Sequence, residues 1–266
     1  MLQFICIGSG SSGNCYCLFT ENDGLMIDAG LGVRTLKRSF KENGLSLSHI
    51  HHIIITHDHA DHIKSVGSLS REFSLPVYAT AKVHDGIERN FCVRNKVAPN
   101  LKRCFTKQVP LQVGDFLVTP FHVPHDSCDS VGYRISCQGI IFVLMTDVGH
   151  ITDEMKEFIA EANYLVIEAN HDEDMLAQGP YPAHLKARIA SQTGHLPNSE
   201  CGRALAENMT EVLRHVWLCH LSEENNHPEL ARKTVEQILR SYGIVAGTDV
   251  QLDVLKRKSP SLLYKL

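Results

Sequence analysis

Ile53-Ile-Ile-Thr-His-Asp-His-Ala-Asp-His62 is the stretch on which the reading of this chain turns. Three isoleucines and a threonine predict a buried strand that ends at Thr56, because the residues after it are polar. The strand then delivers His57, His59, Asp61 and His62 onto the following turn in the pattern HxHxDH. Neutral imidazole is the commonest metal ligand among side chains, and carboxylates among imidazoles offset part of the charge of a divalent cation. Ligands bunched at the C-terminal end of a strand converge on a cavity at the sheet edge, where two cations can lie about 3.5–4 Å apart. Satisfied surface histidines would have no reason to share this spacing, so the motif reads as a metal site.

Composition agrees. The chain has 266 residues and 16 histidines, an excess that a metal site explains. Its nine cysteines are an odd number without a CxxC pair, and Cys6, Cys137 and Cys219 sit in apolar runs. Neither a disulfide framework nor a zinc ribbon is indicated, and a reducing cytoplasm is expected. Met1-Leu-Gln-Phe-Ile-Cys-Ile7 lacks a basic leader region, and no apolar run approaches the roughly 18 residues of a membrane span. A soluble, unexported protein without a membrane partner is therefore predicted. The formal net charge of −4 argues against holding nucleic acid by bulk electrostatics. Locally, Lys82, Arg89, Arg94, Lys96, Lys102, Arg103 and Lys107 face only Asp85 and Glu88, a surplus that suits a phosphate backbone or simply a solvated helix and loop.

Short β-rich runs predict strands at Leu2–Ile7, Tyr16–Phe19, Leu25–Asp28, His52–Thr56, Val77–Ala79, Phe116–Thr119, Val131–Ser136, Ile140–Met145, Tyr164–Glu168, His215–Cys219 and Val250–Leu255. Helical periodicity predicts Arg34–Asn43, Ile63–Phe73, Lys82–Arg89, Thr152–Ala160, His184–Thr193, Ser199–Asn208 and Pro228–Ser241. Strands come in hairpin-like groups before helices intervene, so mixed sheets with outer helices are expected: an α/β (α+β) fold built as a four-layer αββα sandwich. No linker or repeat divides the chain. One domain over 1–266 is predicted, with structural halves of about 1–110 and 111–266 that share a core.

Thr56-His-Asp-His-Ala-Asp-His62 resembles the signature of the metallo-β-lactamase superfamily, and that family's later motifs follow in order. His125 lies in Thr119-Pro-Phe-His-Val-Pro-His-Asp-Ser127, Asp147 follows an apolar strand in Thr146-Asp-Val-Gly149, and His220 closes Val216-Trp-Leu-Cys-His220. The resemblance implies that one metal takes His57, His59 and His125. A second takes Asp61, His62 and His220, and Asp147 bridges both. Zinc, manganese and iron all suit these donors. Two such cations lower the pKa of water from ~15.7 toward ~7, and Asp61 would orient the attacking water while holding its metal. His122 competes with His125 for the third position, and His215 with His220 for the last.

Gly8-Ser-Gly-Ser-Ser-Gly-Asn14, Glu168-Ala-Asn-His-Asp172 and Gly194-His-Leu-Pro-Asn198 extend the resemblance to the YycJ-type (VicX-type) subgroup, relatives of the nuclease branch. It spans essentially the whole chain. Pro197 departs from it, standing where a serine is expected; Ser199 could supply that hydroxyl. Gly194–Ser199 precedes a predicted helix, so free N–H groups there suit an anion, and His195 could protonate a leaving 3′ oxygen. The bland alternative is a helix cap with a loop histidine. His171, Asn198 and Ser199 are candidate substrate contacts. The interval from Asp147 to His220 is filled by predicted elements, leaving no room for the inserted domain of ribonuclease J-like enzymes. The expected activity is phosphodiester hydrolysis, as exonucleolytic cleavage of DNA in preference to RNA with 5′-phosphorylated products. A carboxyl-ester, thioester or lactone hydrolase could use the same ligands.

Overall fold

The computed structural model describes residues 1–266. The first half runs β1 (Gln3–Gly8), β2 (Cys15–Phe19), β3 (Gly24–Ile27), α1 (Val33–Glu42), β4 (His52–Ile54), α2 (Ala60–Ile63), α3 (Val66–Phe73), β5 (Val77–Ala79), α4 (Ala81–Arg89) and β6 (Lys102–Cys104). The second runs β7 (Leu111–Val113), β8 (Phe116–His122), β9 (Val131–Cys137), β10 (Ile140–Met145), α5 (Asp153–Glu161), β11 (Tyr164–Glu168), α6 (Glu173–Gln178), α7 (Ala183–Ile189), α8 (Asn198–Asn208), β12 (His215–Cys219), α9 (Pro228–Ser241), β13 (Gln251–Val254) and β14 (Tyr264–Lys265).

The strands form two seven-stranded sheets, ordered β14-β1-β2-β3-β4-β5-β6 and β13-β12-β11-β10-β9-β8-β7. Each begins as antiparallel hairpins and continues as parallel strands: β3 to β6 in one sheet, β10 to β13 in the other. Side-chain alternation along each strand then fixes the layers. On β1, Phe4 and Cys6 face the space between the sheets while Ile5 and Ile7 face outward beneath helices. On β12, Trp217 and Cys219 point inward, and Val216 and Leu218 outward. The inner layer joins both halves around Phe4, Tyr16, Tyr133, Phe142 and Trp217. The outer layers pack α1, α3 and α4 on one sheet and α5, α8 and α9 on the other. This is the expected αββα sandwich.

The differences from expectation are local. The helix expected over Ile63–Phe73 starts only at Val66, after a separate short α2 that ends at Ile63, because the Ser65 N–H donates to Ala29 O at 2.8 Å and its hydroxyl to Leu31 O at 2.5 Å. Those bonds lead the chain out of α2 and back toward β3. Edge strands β6, β7 and β14 carry no run long enough to show alternation, and α6 is a short helix whose start is capped by Asp172, which accepts from the Met175 N–H. The helix predicted at His184–Thr193 ends at Ile189. No helix is long and apolar enough to cross a membrane.

Candidate metal centre

The parallel strands end on one side of the sandwich, and the chemistry-bearing residues follow those ends. His57, His59, Asp61 and His62 come after β4, Asp147 after β10, and His220 directly after β12; Glu168 is the last residue of β11. His125 arrives from the loop after β8. Asp28, Asp147 and His220 have φ of 61°, 55° and 52°, the left-handed region that Asp and His enter more readily than most residues. At each of these three positions the backbone turns sharply out of a strand.

All seven residues expected as ligands are brought together. Donor atoms of His57, His59 and His125 lie within 4.8 Å of one another, as do those of Asp61, His62 and His220. Asp147 connects the groups: its carboxylate is 3.2 Å from His62 Nε2, 3.7 Å from His125 Nε2 and 3.6 Å from His220 Nε2. Asp61 Oδ2 stands 3.6 Å from both His62 Nε2 and His220 Nε2. Tetrahedral ligands at 2.0–2.1 Å from one ion are separated by about 3.3 Å, so these spacings fit divalent cations.

The hydrogen bonds behind the cluster decide which nitrogens are free. Nδ1 of His62 donates to Asp28 Oδ2 at 2.7 Å, Nδ1 of His125 to Gly194 O at 3.0 Å and Nδ1 of His220 to Glu168 Oε1 at 2.9 Å. Nδ1 of His57 donates to Thr56 Oγ1 at 3.0 Å, which in turn donates to Asp28 Oδ2 at 2.8 Å. Each bond occupies Nδ1 and turns Nε2 toward the cluster, the usual arrangement behind metal-bound histidines. His57 Nε2 and His220 Nε2 are buried with no hydrogen-bond partner in the chain. His59 Nδ1 and His125 Nε2 face each other at 3.2 Å, a contact that repels unless a proton or cation lies between. The donor set therefore fits metal ions.

Electrostatics points the same way. Burial depresses His220, but Asp147, Asp61 and Glu168 outweigh it and hold the imidazole up at about 10. His62 is likewise depressed by burial and raised well above the usual histidine range by Asp147, Asp28 and Asp61. Burial keeps His57 well below that range. Burial raises Asp147, yet His220 and His62 hold it well below the ordinary carboxylate range. The carboxylates of the cluster thus favour positive charge, whether carried by protons or by metal ions.

Residues without an expected role complete the site. Glu168 is fully buried; its Oε1 accepts from His195 Nδ1 and His220 Nδ1, both at 2.9 Å, and its Oε2 accepts from the backbone of Val148 at 2.6 Å and Leu196 at 3.1 Å. Burial would raise its pKa, but His195 and His220 bring it to about 2. Asp28 and Thr56 orient His57 and His62. Asn14, from the glycine-rich turn, has its amide nitrogen 2.9 Å from His62 Nε2 and donates to Asp61 Oδ2 at 3.3 Å. A visible clue was position: Asp28 and Glu168 close predicted strands, as Asp147 and His220 follow or close theirs.

The remaining candidates divide. His195 sits at the cluster, 18% exposed, with Nδ1 3.9 Å from Asp147 Oδ1. His171 is buried, its Nδ1 unpartnered, and it lines a cavity of about 650 Å³ with His150, Lys186, Gln192 and His195. Asn198 is buried in a reciprocal amide pair with Asn226, and the Ser199 hydroxyl donates to Glu173 at 2.7 Å. The loop N–H groups of Leu196 and Asn198 are likewise taken, by Glu168 and His171 O. Of the competitors, His122 is exposed beside Lys107, and His215 stacks on Trp217 at 4.1 Å and bonds Asp253 at 2.9 Å.

The profile described as the Beta-lactamase superfamily domain matches residues 24–220, which takes in every residue of the cluster. The chain belongs to the β-lactamase superfamily. Exodeoxyribonuclease YycJ of Bacillus anthracis is 35% identical over 98% of this chain and 97% of its own length. Exodeoxyribonuclease WalJ of Streptococcus pneumoniae is 34% identical over 94% of this chain and 93% of its own. Among solved structures, Zn(2+)-bound PqqB from Methylobacterium extorquens superposes with a TM-score of 0.73 at 16% identity, covering 99% of this chain and 100% of that one. The metallo-β-lactamase fold is thus shared far beyond recognisable sequence, while the two exodeoxyribonucleases match nearly end to end.

Proposed function

We propose that this superfamily member is an exodeoxyribonuclease that hydrolyses phosphodiester bonds at a pair of divalent cations, zinc, manganese or iron. One observation carries the reading: Asp147 lies between two complete ligand groups, in a chain 35% identical over 98% of its length to Exodeoxyribonuclease YycJ. His57, His59 and His125 would hold one cation, Asp61, His62 and His220 the other, with Asp147 shared. When bound, such cations polarise phosphoryl oxygens and acidify water.

The chain's own groups supply the remainder. Asp61 is partly exposed at the cluster, where it can orient the attacking water. His195 is depressed by burial, but Glu168 and then Asp147 raise it above the usual histidine value, which favours its proton-bearing form. With Nδ1 fixed by Glu168, the other ring nitrogen is left to protonate the leaving 3′ oxygen. The cavity beside His195 has room for a nucleotide next to the scissile bond. The nine unpaired cysteines support a reducing, cytoplasmic setting.

Metal-reconstituted protein assayed on DNA, RNA, bis-p-nitrophenyl phosphate, a thioester and a lactone tests the reading. Release of nucleotides from DNA ends is expected. Turnover confined to the thioester or lactone would replace this function with the ester-hydrolase one.

A further inference from the structure

Phe91 is 91% exposed, the most exposed large apolar side chain of the protein. It does not lie in a loose loop. Immediately before it, the Asn90 amide donates to Asp58 O at 3.1 Å, and its Oδ1 accepts from the Cys92 N–H at 2.9 Å. Just after it, Val93 and Val97 are buried in the layer beneath α3 and α4. Lys96 Nζ closes the segment by donating to Ile87 O at 3.0 Å and Asn90 O at 2.8 Å. The apolar residues on one side of this turn are packed, and the largest one is held out in water.

Its location is equally defined. Asp58 lies between His57 and His59, so the Asn90 bond ties the Phe91 turn to the motif that builds the metal centre. Helix α4 presses on the same residue: a methyl group at Gly86 would overlap the Asp58 carboxylate. The surrounding charge is positive. Lys102 pairs with Glu88 at 3.1 Å and Lys107 with Asp129 at 2.5 Å. Lys82, Arg89 and Arg94 are exposed and have no carboxylate partner.

We infer that Phe91 is a stacking platform for the base at a DNA end, with Lys82, Arg89 and Arg94 holding the adjoining phosphates. This deepens the exodeoxyribonuclease reading and rests on it. Inside a duplex each base is covered on both faces by its neighbours; only an end or an unpaired nucleotide offers a free π-face. An exposed aromatic ring on an anchored turn tied to the ligand motif therefore discriminates ends from internal duplex, while cations alone bind both. Stacking of one base on an aromatic ring changes affinity about 5- to 150-fold.

The test compares metal-reconstituted wild type, Phe91→Ala and Phe91→Trp on linear duplex and on a covalently closed circle. Phe91→Ala should raise KM for linear DNA within that range, with kcat within about twofold, metal content unchanged and no change in binding to the closed circle. Phe91→Trp should keep wild-type KM. The chain's one native tryptophan, Trp217, is fully buried. Emission from Phe91→Trp should therefore respond when a phosphorothioate-ended linear duplex binds, and not when the closed circle does. An unchanged KM in Phe91→Ala, a silent emission at saturating linear DNA, or loss of metal together with activity would each overturn the proposal. If wild type neither binds nor cleaves linear DNA, the exodeoxyribonuclease reading itself has failed, and that result is separate from any effect at Phe91.

Discussion

Glu168 accepts hydrogen bonds from His220 and His195 through the same carboxylate oxygen, each at 2.9 Å. One buried anion thus orients a candidate metal ligand and the candidate proton donor together. Glu168→Gln should lower metal affinity about 10- to 100-fold and slow DNA hydrolysis even at saturating metal. Titration with a zinc indicator measures the first effect. Wild-type affinity in the variant would remove Glu168 from this role.

His195→Ala should separate the two functions. DNA hydrolysis should fall about 10²- to 10⁴-fold while elemental analysis finds the full metal content. Metal loss in this variant would make His195 a ligand rather than an acid.

Metal loading should release protons. Asp147, Asp61 and Glu168 outweigh burial and hold His220 at about 10, so near neutral pH a proton competes with a cation for its ring nitrogen. The sign follows: apparent affinity should rise with pH, the release shrinking as pH approaches about 10, and affinity should weaken as pH falls. Calorimetry in two buffers of different ionisation enthalpy reads the proton count directly. A count of zero at pH 7.5 would contradict the arrangement.

Gly30 shows how tightly the ligand turn is wedged. A methyl group there would overlap the Asp61 carbonyl, which already accepts from the Asn14 N–H at 2.8 Å. Gly30→Ala should destabilise the fold by about 1–3 kcal/mol in urea and displace Asp61, with loss of metal. Wild-type stability together with full metal occupancy would mean that the turn yields freely.

Neutralising Lys82, Arg89 and Arg94 together should flatten the dependence of log K for duplex DNA on log salt by about 0.9 per lost phosphate contact. An unchanged slope would assign the charges to ordinary solvated surface.

Much of this architecture is legible in the sequence because two signals coincide. The apolar runs of β10, β11 and β12 have the boundaries expected from sequence, and the HxHxDH spacing follows β4 as expected. The supporting groups were harder to see. Glu168 ends an apolar strand as any surface carboxylate could, and only the packing of β11 beside β12 reveals that it faces His220 and His195. Asp28 shares with Glu168 the clue of closing a strand, but nothing near it in the chain names its partner His62, 34 positions away. Asn198 and Ser199 stand at a helix start where sequence alone leaves them free for substrate, but their polar groups answer Asn226 and Glu173, residues that no local pattern connects to them. Phe91 would be assigned to a core by hydrophobicity alone; its exposure follows from how Asn90 and Val93 anchor the turn on either side.

The left-handed backbone at Asp28, Asp147 and His220 sets activity against robustness. Each position asks an L-residue to hold a conformation that glycine adopts without penalty. Glycine at Asp147 or His220 would relieve the backbone but remove a donor on which the surrounding buried charges depend. The backbone cost is thus carried at the residues that deliver the donor atoms.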